Sequence, residues 1–114
     1  MKVYGIKNCD TVKKALKWLE FHNIDFEFHD FKKSGISNEK LKEWSTKLGW
    51  EPLLNKRGTT WKKLDAETQN RIINENDAFK LMQEKTSVIK RPVIENGQDI
   101  LIGFDENTYQ QTLV

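Results

Sequence analysis

KVYGIKNCDTVKKALKWLEFHNIDFEFHDF, residues 2–31, changes its hydrophobic period twice, and those two changes decide the fold. Lys2-Val3-Tyr4-Gly5-Ile6 reads as a short strand, with Val3 and Tyr4 supplying β propensity. A polar break follows at Lys7-Asn8-Cys9-Asp10-Thr11. From there Val12, Leu16 and Leu19 recur at i, i+4 and i+7, with Ala15 and Trp18 beside them. That spacing predicts an amphipathic helix running to about Asn23, capped by Asp10 or Thr11. Asp25-Phe26-Glu27-Phe28-His29-Asp30-Phe31 then alternates polar and aromatic residues, the period of a strand. Strand, helix and strand within about thirty residues make a βαβ unit, which requires parallel pairing.

Working outward, the middle of the chain is predicted to be helical. Ser37 caps a helix carrying Leu41, Trp44 and Leu48, which stops near Gly49. Trp50 to Lys56 supplies another turn or two around Leu53 and Leu54, and Arg57-Gly58-Thr59-Thr60 reads as a loop. Asp65 is expected to cap a helix through Ile72 and Ile73, and Asp77 another with Phe79, Leu81 and Met82. The end returns to β structure. Pro92-Val93-Ile94-Glu95 and Asp99-Ile100-Leu101-Ile102-Gly103-Phe104 flank Asn96-Gly97, a strong hairpin signal. Asp105 then caps a short final helix containing Tyr109. The assembled order, β-α-β, helices, β-β-α, predicts an α/β fold with a mixed four-stranded sheet.

Composition narrows the function. A length of 114 residues fits one domain, and four Trp and six Phe provide the apolar surface for one core. No apolar run approaches the ~20 residues that cross a bilayer. The N-terminus lacks the apolar segment of a signal peptide, so a cytoplasmic protein without membrane contact is expected. Nineteen Lys+Arg against seventeen Asp+Glu give +2, too little to predict direct nucleic-acid binding. The six glycines never cluster into a nucleotide loop. His22 and His29 lack a third ligand at recognisable spacing, so no metal site is expected.

One cysteine rules out an internal disulfide and any multi-cysteine metal centre. Cys9 is either a small buried apolar residue or a working thiol, and position alone leaves both open. A helix N-terminus carries about half a positive charge and free N–H groups, which favour the nucleophilic thiolate. Lys7, Lys13 and Lys14 add positive potential, while Asp10 opposes it. Val12 stands where a Cys-x-x-Cys partner would be. Arg91-Pro92 begins a strand, and X-Pro is the usual place for a cis peptide. Arg57 lies in the Gly/Thr loop. Taken singly, each arginine reads as a surface residue.

Three segments together carry a more specific message. Tyr4-Gly5-Ile6-Lys7-Asn8-Cys9-Asp10-Thr11-Val12-Lys13-Lys14-Ala15, Leu53-Leu54-Asn55-Lys56-Arg57-Gly58-Thr59-Thr60-Trp61 and Ile89-Lys90-Arg91-Pro92-Val93 resemble the arsenate reductase (ArsC)/Spx family, and most of all its YffB-like branch. The resemblance spans nearly the whole chain. It implies a thioredoxin-like fold over 1–114 as a single domain, with a helical insert at about 37–85. It also implies a catalytic Cys9 and a cis Pro92.

The departures bear on activity. Three arginines hold the oxyanion in the glutaredoxin-linked arsenate reductases, and Arg91 matches one of them. Asn55 occupies the second position, although Arg57 stands two residues on, and the third falls near Phe104. Val12 removes the Cys-x-x-Cys switch of the Spx regulators. The expectation is therefore a glutathione-dependent thiol–disulfide oxidoreductase with no bound cofactor, and with arsenate a poor substrate. Cys9 would be catalytic, with Arg91, Arg57, Pro92, Asn8 and Lys7 binding the substrate. Glutathione or a small thiol or disulfide is the expected partner, with glutaredoxin a further candidate. The alternative is a non-catalytic, Spx-like adaptor that binds RNA polymerase.

Overall fold

The computed structural model describes residues Met1–Val114, which divide into two compact units. The first unit joins Met1–Ser34 to Arg91–Val114, and the second is Gly35–Lys90. No helix is long and apolar enough to cross a membrane.

The first unit holds strands β1 (Lys2–Gly5), β2 (Glu27–Asp30), β3 (Val93–Asn96) and β4 (Asp99–Ile102) in one mixed sheet of order β2-β1-β3-β4. β1 pairs parallel with β2, with Tyr4 opposite His29 and Gly5 opposite Asp30. It pairs antiparallel with β3, with Tyr4 opposite Val93, and β3 pairs antiparallel with β4. Helix α1 (Asp10–Phe21) is the βαβ crossover, and α7 (Glu106–Leu113) closes the chain. Val3 and Ile94 share one sheet face, as strand alternation requires. With Ala15 and Leu19 of α1 and Tyr109 of α7 they form a fully buried core cluster.

A short helix, α2 (Phe31–Ser34), follows β2 directly. The strand expected through Phe31 stops at Asp30, whose Oδ1 accepts the Lys32 N–H at 2.9 Å and turns the chain. The hairpin also differs from its prediction by one residue. Asn96 pairs with Asp99, so the two-residue turn is Gly97-Gln98, with Gly97 at φ +63°. Gly rather than Asn supplies the left-handed residue, which only glycine adopts without cost.

The second unit contains α3 (Asn38–Leu48), α4 (Thr59–Lys62), α5 (Ala66–Asn70) and α6 (Glu75–Glu84), with 3₁₀ turns at Glu51–Leu53 and Thr86–Val88. Leu41, Trp44, Phe79 and Met82 are buried almost completely. The isolated bridge between Leu54 and Ile89, with Asn55 N–H on the Val88 carbonyl at 2.7 Å, ties the middle of this unit to its C-terminal end. Ser37 and Asp65 cap as expected, accepting from the N–H groups of Lys40 and Thr68. Three readings need correction. Thr59 and Thr60 begin α4 rather than belonging to a loop. The helix after Asp65 ends at Asn70, leaving Ile73 74% exposed. Asn74, not Asp77, caps α6, because its side chain accepts the Asp77 N–H at 2.9 Å. Asp77 reaches back to the Ile73 N–H instead.

Asp105 caps α7, and the Thr108 hydroxyl donates to its Oδ2 at 2.5 Å. That bond holds the Asp105 carboxyl below its usual range. The cap therefore stays charged at neutral pH, and its contribution fades only as acid protonates it.

β1 and α1 approach closely at Gly5. A Cβ built on Gly5 would sit 3.0 and 3.3 Å from the two methyls of Val12, which is fully buried and held in one rotamer by its helix. Gly5→Ala is expected to destabilise the protein by about 1–3 kcal/mol through overpacking. Because Val12→Ala removes the obstructing methyls, the double variant should lose less than the sum of the two single losses. Chemical denaturation of the four proteins in the cycle measures this, and strict additivity would refute it.

Candidate functional site

After β1 ends, Lys7 and Asn8 form an exposed turn and Cys9 follows as the N-cap of α1. Its backbone is extended, φ −114° and ψ 122°, and its carbonyl accepts the Lys13 N–H at 2.9 Å. The helix begins earlier than the sequence predicts, so neither Asp10 nor Thr11 is the cap. The sulfur stands where a Ser or Asp oxygen would accept a first-turn N–H, and no side chain caps this helix. A neutral thiol is a weak acceptor. A thiolate there meets the helix's positive end and the first-turn N–H groups that have no carbonyl below them. Cys9 is a free, half-buried thiol.

Sheet pairing brings the other candidates near. With Tyr4 opposite Val93 in an antiparallel pair, the start of β3 lies beside the end of β1. Arg91 and Pro92, immediately before β3, therefore share one end of the sheet with the Lys7–Cys9 loop. The Arg91–Pro92 peptide is cis. Pro92 is buried and its carbonyl accepts the Gly103 N–H at 2.8 Å, whereas Arg91 is half-buried. Arg57 belongs to the second unit, where it is exposed in the turn before α4. Asn55 is fixed against that turn: its carbonyl accepts the Gly58 N–H, and its side-chain nitrogen lies 2.7 Å from where a Gly58 Cβ would be. Phe104 packs edge-on against Tyr109 at 5.1 Å, in the apolar cluster under the sheet.

Two features of the site escape a linear reading. Because β2 runs parallel to β1, α2 starts at the same sheet end as the cysteine loop. Lys33 consequently joins Lys7, His29 and Asp30 around one shallow groove of 500 Å³. The second is a tie to α7: Gly103, at φ +80°, bonds Pro92 through its N–H and accepts the Tyr109 hydroxyl at 2.6 Å. Burial pushes the Tyr109 phenol well above its ordinary range, so it stays a donor. Of the histidines, His22 stacks on Trp18 at 3.9 Å with its Nδ1 against the Trp18 carbonyl, and His29 lies 4.9 Å from the Tyr4 ring.

The model of the ArsC family matches residues 4–112. The chain belongs to the ArsC family. An ArsC-family relative, an uncharacterised protein of Haemophilus influenzae, is 47% identical over 95% of this chain and 94% of its own length. The solved structure of a protein called YffB superposes with a TM-score of 0.93 at 43% identity, covering 99% of this chain and 98% of that one. More distant is the global transcriptional regulator Spx of Lactiplantibacillus plantarum, 26% identical over 97% of this chain and 84% of its own. The thioredoxin-like α/β fold of this family, with its mixed four-stranded sheet, is the fold found here.

The N-cap position yields a prediction that separates a functional cysteine from a packing one. Serine is among the best N-caps, so Cys9→Ser should raise stability by about 0.5–1 kcal/mol, a Tm gain of a few degrees. Thermal unfolding followed by circular dichroism reads the change. A loss of more than about 1 kcal/mol would mean that the sulfur is there to fill space.

Proposed function

We propose that the protein carries out glutathione-dependent thiol–disulfide exchange through Cys9. The observation that carries this reading is the placement of one free, half-buried thiol at the N-cap of α1, on the same sheet end as Arg91 and Pro92. In the first step the Cys9 thiolate attacks a mixed disulfide. The Cys9–sulfur bond forms, the substrate disulfide breaks, and the substrate sulfur leaves as a thiolate. In the second step a glutathione thiolate attacks the protein-bound disulfide, giving oxidised glutathione and regenerating the Cys9 thiolate. The mixed disulfide is one with glutathione, so Cys9 takes up its glutathionyl sulfur; the net reaction oxidises one glutathione thiol, releases the substrate as its thiol, and requires no bound cofactor.

The neighbouring residues take supporting roles in this proposal. Arg91 pairs with a substrate carboxylate through charge-assisted hydrogen bonds, with Arg57 as a second candidate. Pro92 presents backbone beside the sulfur. Lys7 and Asn8, exposed in the preceding turn, contact the rest of the glutathione moiety.

Arsenate fits this site poorly. A tetrahedral oxyanion beside a thiolate needs cations to offset both charges, and Phe104 is committed to the apolar cluster while Asn55 is neutral. Each missing charge-assisted contact costs about 1.5–3 kcal/mol, or about ten- to a hundredfold in rate. A second reading, a non-catalytic adaptor, draws on the relationship to Spx. It predicts stoichiometric recovery of RNA polymerase on affinity capture, whereas the oxidoreductase reading predicts glutathionylated proteins.

Intact mass spectrometry tests the proposal directly. Millimolar oxidised glutathione should add one glutathione to the protein and none to Cys9→Ser, and reduced glutathione should remove it. Absence of the adduct would end the proposal. In a coupled assay, a glutathione mixed disulfide should turn over while arsenate reduction stays at least about tenfold below that of an arsenate reductase with three arginines. Arsenate turnover equal to such an enzyme would show that another cation completes the oxyanion site.

A further inference from the structure

One helix carries both Cys9 and the most exposed large apolar side chain of the protein, Phe21, which is 82% exposed. Phe21 stands beside an open groove of 860 Å³ between α1 and α7, whose apolar wall is Trp18, Phe21 and Phe104. Lys14 and Lys17 line the same groove, and Glu106 is its one acidic side chain. Lys14, Lys17, Trp18 and Phe21 recur at three- and four-residue steps, so they form one stripe down α1. The aromatic part is a rigid construction. Trp18 stacks on His22 at 3.9 Å and meets Tyr109 edge-on at 5.3 Å, while Phe21 meets His22 at 5.3 Å. Phe21 joins Trp18 and Phe104 in one apolar wall edged by charged and polar side chains, the form in which an exposed apolar patch marks an interaction site.

We infer that this stripe is a docking track for the disulfide substrate itself, and that the substrate is a protein or peptide with an apolar side chain and carboxylates following its cysteine. This rests on the thiol–disulfide exchange proposed above and specifies its substrate class. Charge complementarity sets the chemistry: the two lysines favour carboxylates over them, and the aromatic wall takes one leucine- or phenylalanine-sized anchor. Helix geometry sets the spacing. Trp18 and Phe21 lie nine and twelve residues beyond Cys9, about 13 and 18 Å along the helix axis at 1.5 Å per residue. An extended chain advances about 3.3 Å per residue, so the anchor belongs about four to six residues from the substrate cysteine. Lys14 and Lys17 fall before it, over the intervening residues, where the carboxylates belong.

The test uses synthetic peptides carrying one cysteine as a glutathione mixed disulfide. The first has glutamates at the second and third positions after the cysteine and leucine at the fifth. The second has lysines in place of the glutamates, and the third has serine in place of the leucine. With the full-length protein, the first peptide should react with Cys9 about tenfold faster than either control, a gain of one such anchor. The preference should vanish in Phe21→Ser and shrink in Lys17→Glu, while both variants keep the parent rate with oxidised glutathione. Equal rates for the three peptides, in a protein that reacts with oxidised glutathione, would overturn the docking track and leave the exchange reaction standing. A version of the first peptide with serine for cysteine probes the groove alone. It should shift the Trp18 indole N–H in ¹H–¹⁵N spectra whether or not exchange occurs, and an unmoved Trp18 signal would overturn the inference.

Discussion

The pairing of β1 with β3 is the constraint on which the rest of the first unit depends. Tyr4 and Glu95 are 91 positions apart, yet the Tyr4 hydroxyl donates to the Glu95 carboxylate at 2.9 Å within that pair of strands. Closing so long a loop costs entropy that local contacts do not return. The register returns it by placing Val3 and Ile94 on one face under α1 and α7. A one-residue slip would turn Ile94 away from Leu19 and Tyr109. The same register fixes which loop lies beside which, so the alignment that buries the core also brings Arg91 and Pro92 to the cysteine end of the sheet.

At that end, the residue at the helix cap is not the one that helix stability favours. The N-cap of a helix attracts Ser, Thr, Asp or Asn because an oxygen acceptor satisfies a first-turn N–H. Here the position holds sulfur, and α1 goes without a side-chain cap. The same chain uses oxygen caps at Ser37, Asp65, Asn74 and Asp105. The four-residue α4, whose N-cap is Gly58, also lacks a side-chain cap, so among the helices of eight or more residues α1 is the one that starts without an oxygen cap. Gly5 fits this account, since its missing Cβ lets the first turn of α1 lie close over the end of β1.

Much of this was legible in the sequence, for identifiable reasons. Sheet and crossover helix announced themselves through periodicity, because Val12, Ala15 and Leu19 are all buried on one side of α1. Boundaries were harder. Asp10 and Thr11 are good caps by type, but the helix starts at Asp10 and the cap position falls to Cys9. Asn74 takes the cap because its side chain accepts the Asp77 N–H while the Asp77 carboxylate accepts the N–H of Ile73, an arrangement that composition cannot rank. Lys33 and the Gly103–Tyr109 tie were out of reach, since both follow from which strands become neighbours. The family resemblance supplied the expected roles of Cys9 and Pro92 where the residues alone left Cys9 undecided.

The division of the chain has a consequence for its synthesis. The first unit is discontinuous, with Met1–Ser34 at one end and Arg91–Val114 at the other, while Gly35–Lys90 is one continuous stretch. As the polypeptide leaves the ribosome, Val3, Ala15 and Leu19 have neither Ile94 nor Tyr109 to pack against until the last two dozen residues appear. At about 5–20 residues per second, the apolar side of α1 waits several seconds for its partners. The helical segment between, one continuous stretch, is complete before them. For that interval β1 is an open strand with nothing on its β3 side, so the nascent chain is exposed to mispairing at the edge that later brings Arg91 and Pro92 beside the cysteine loop.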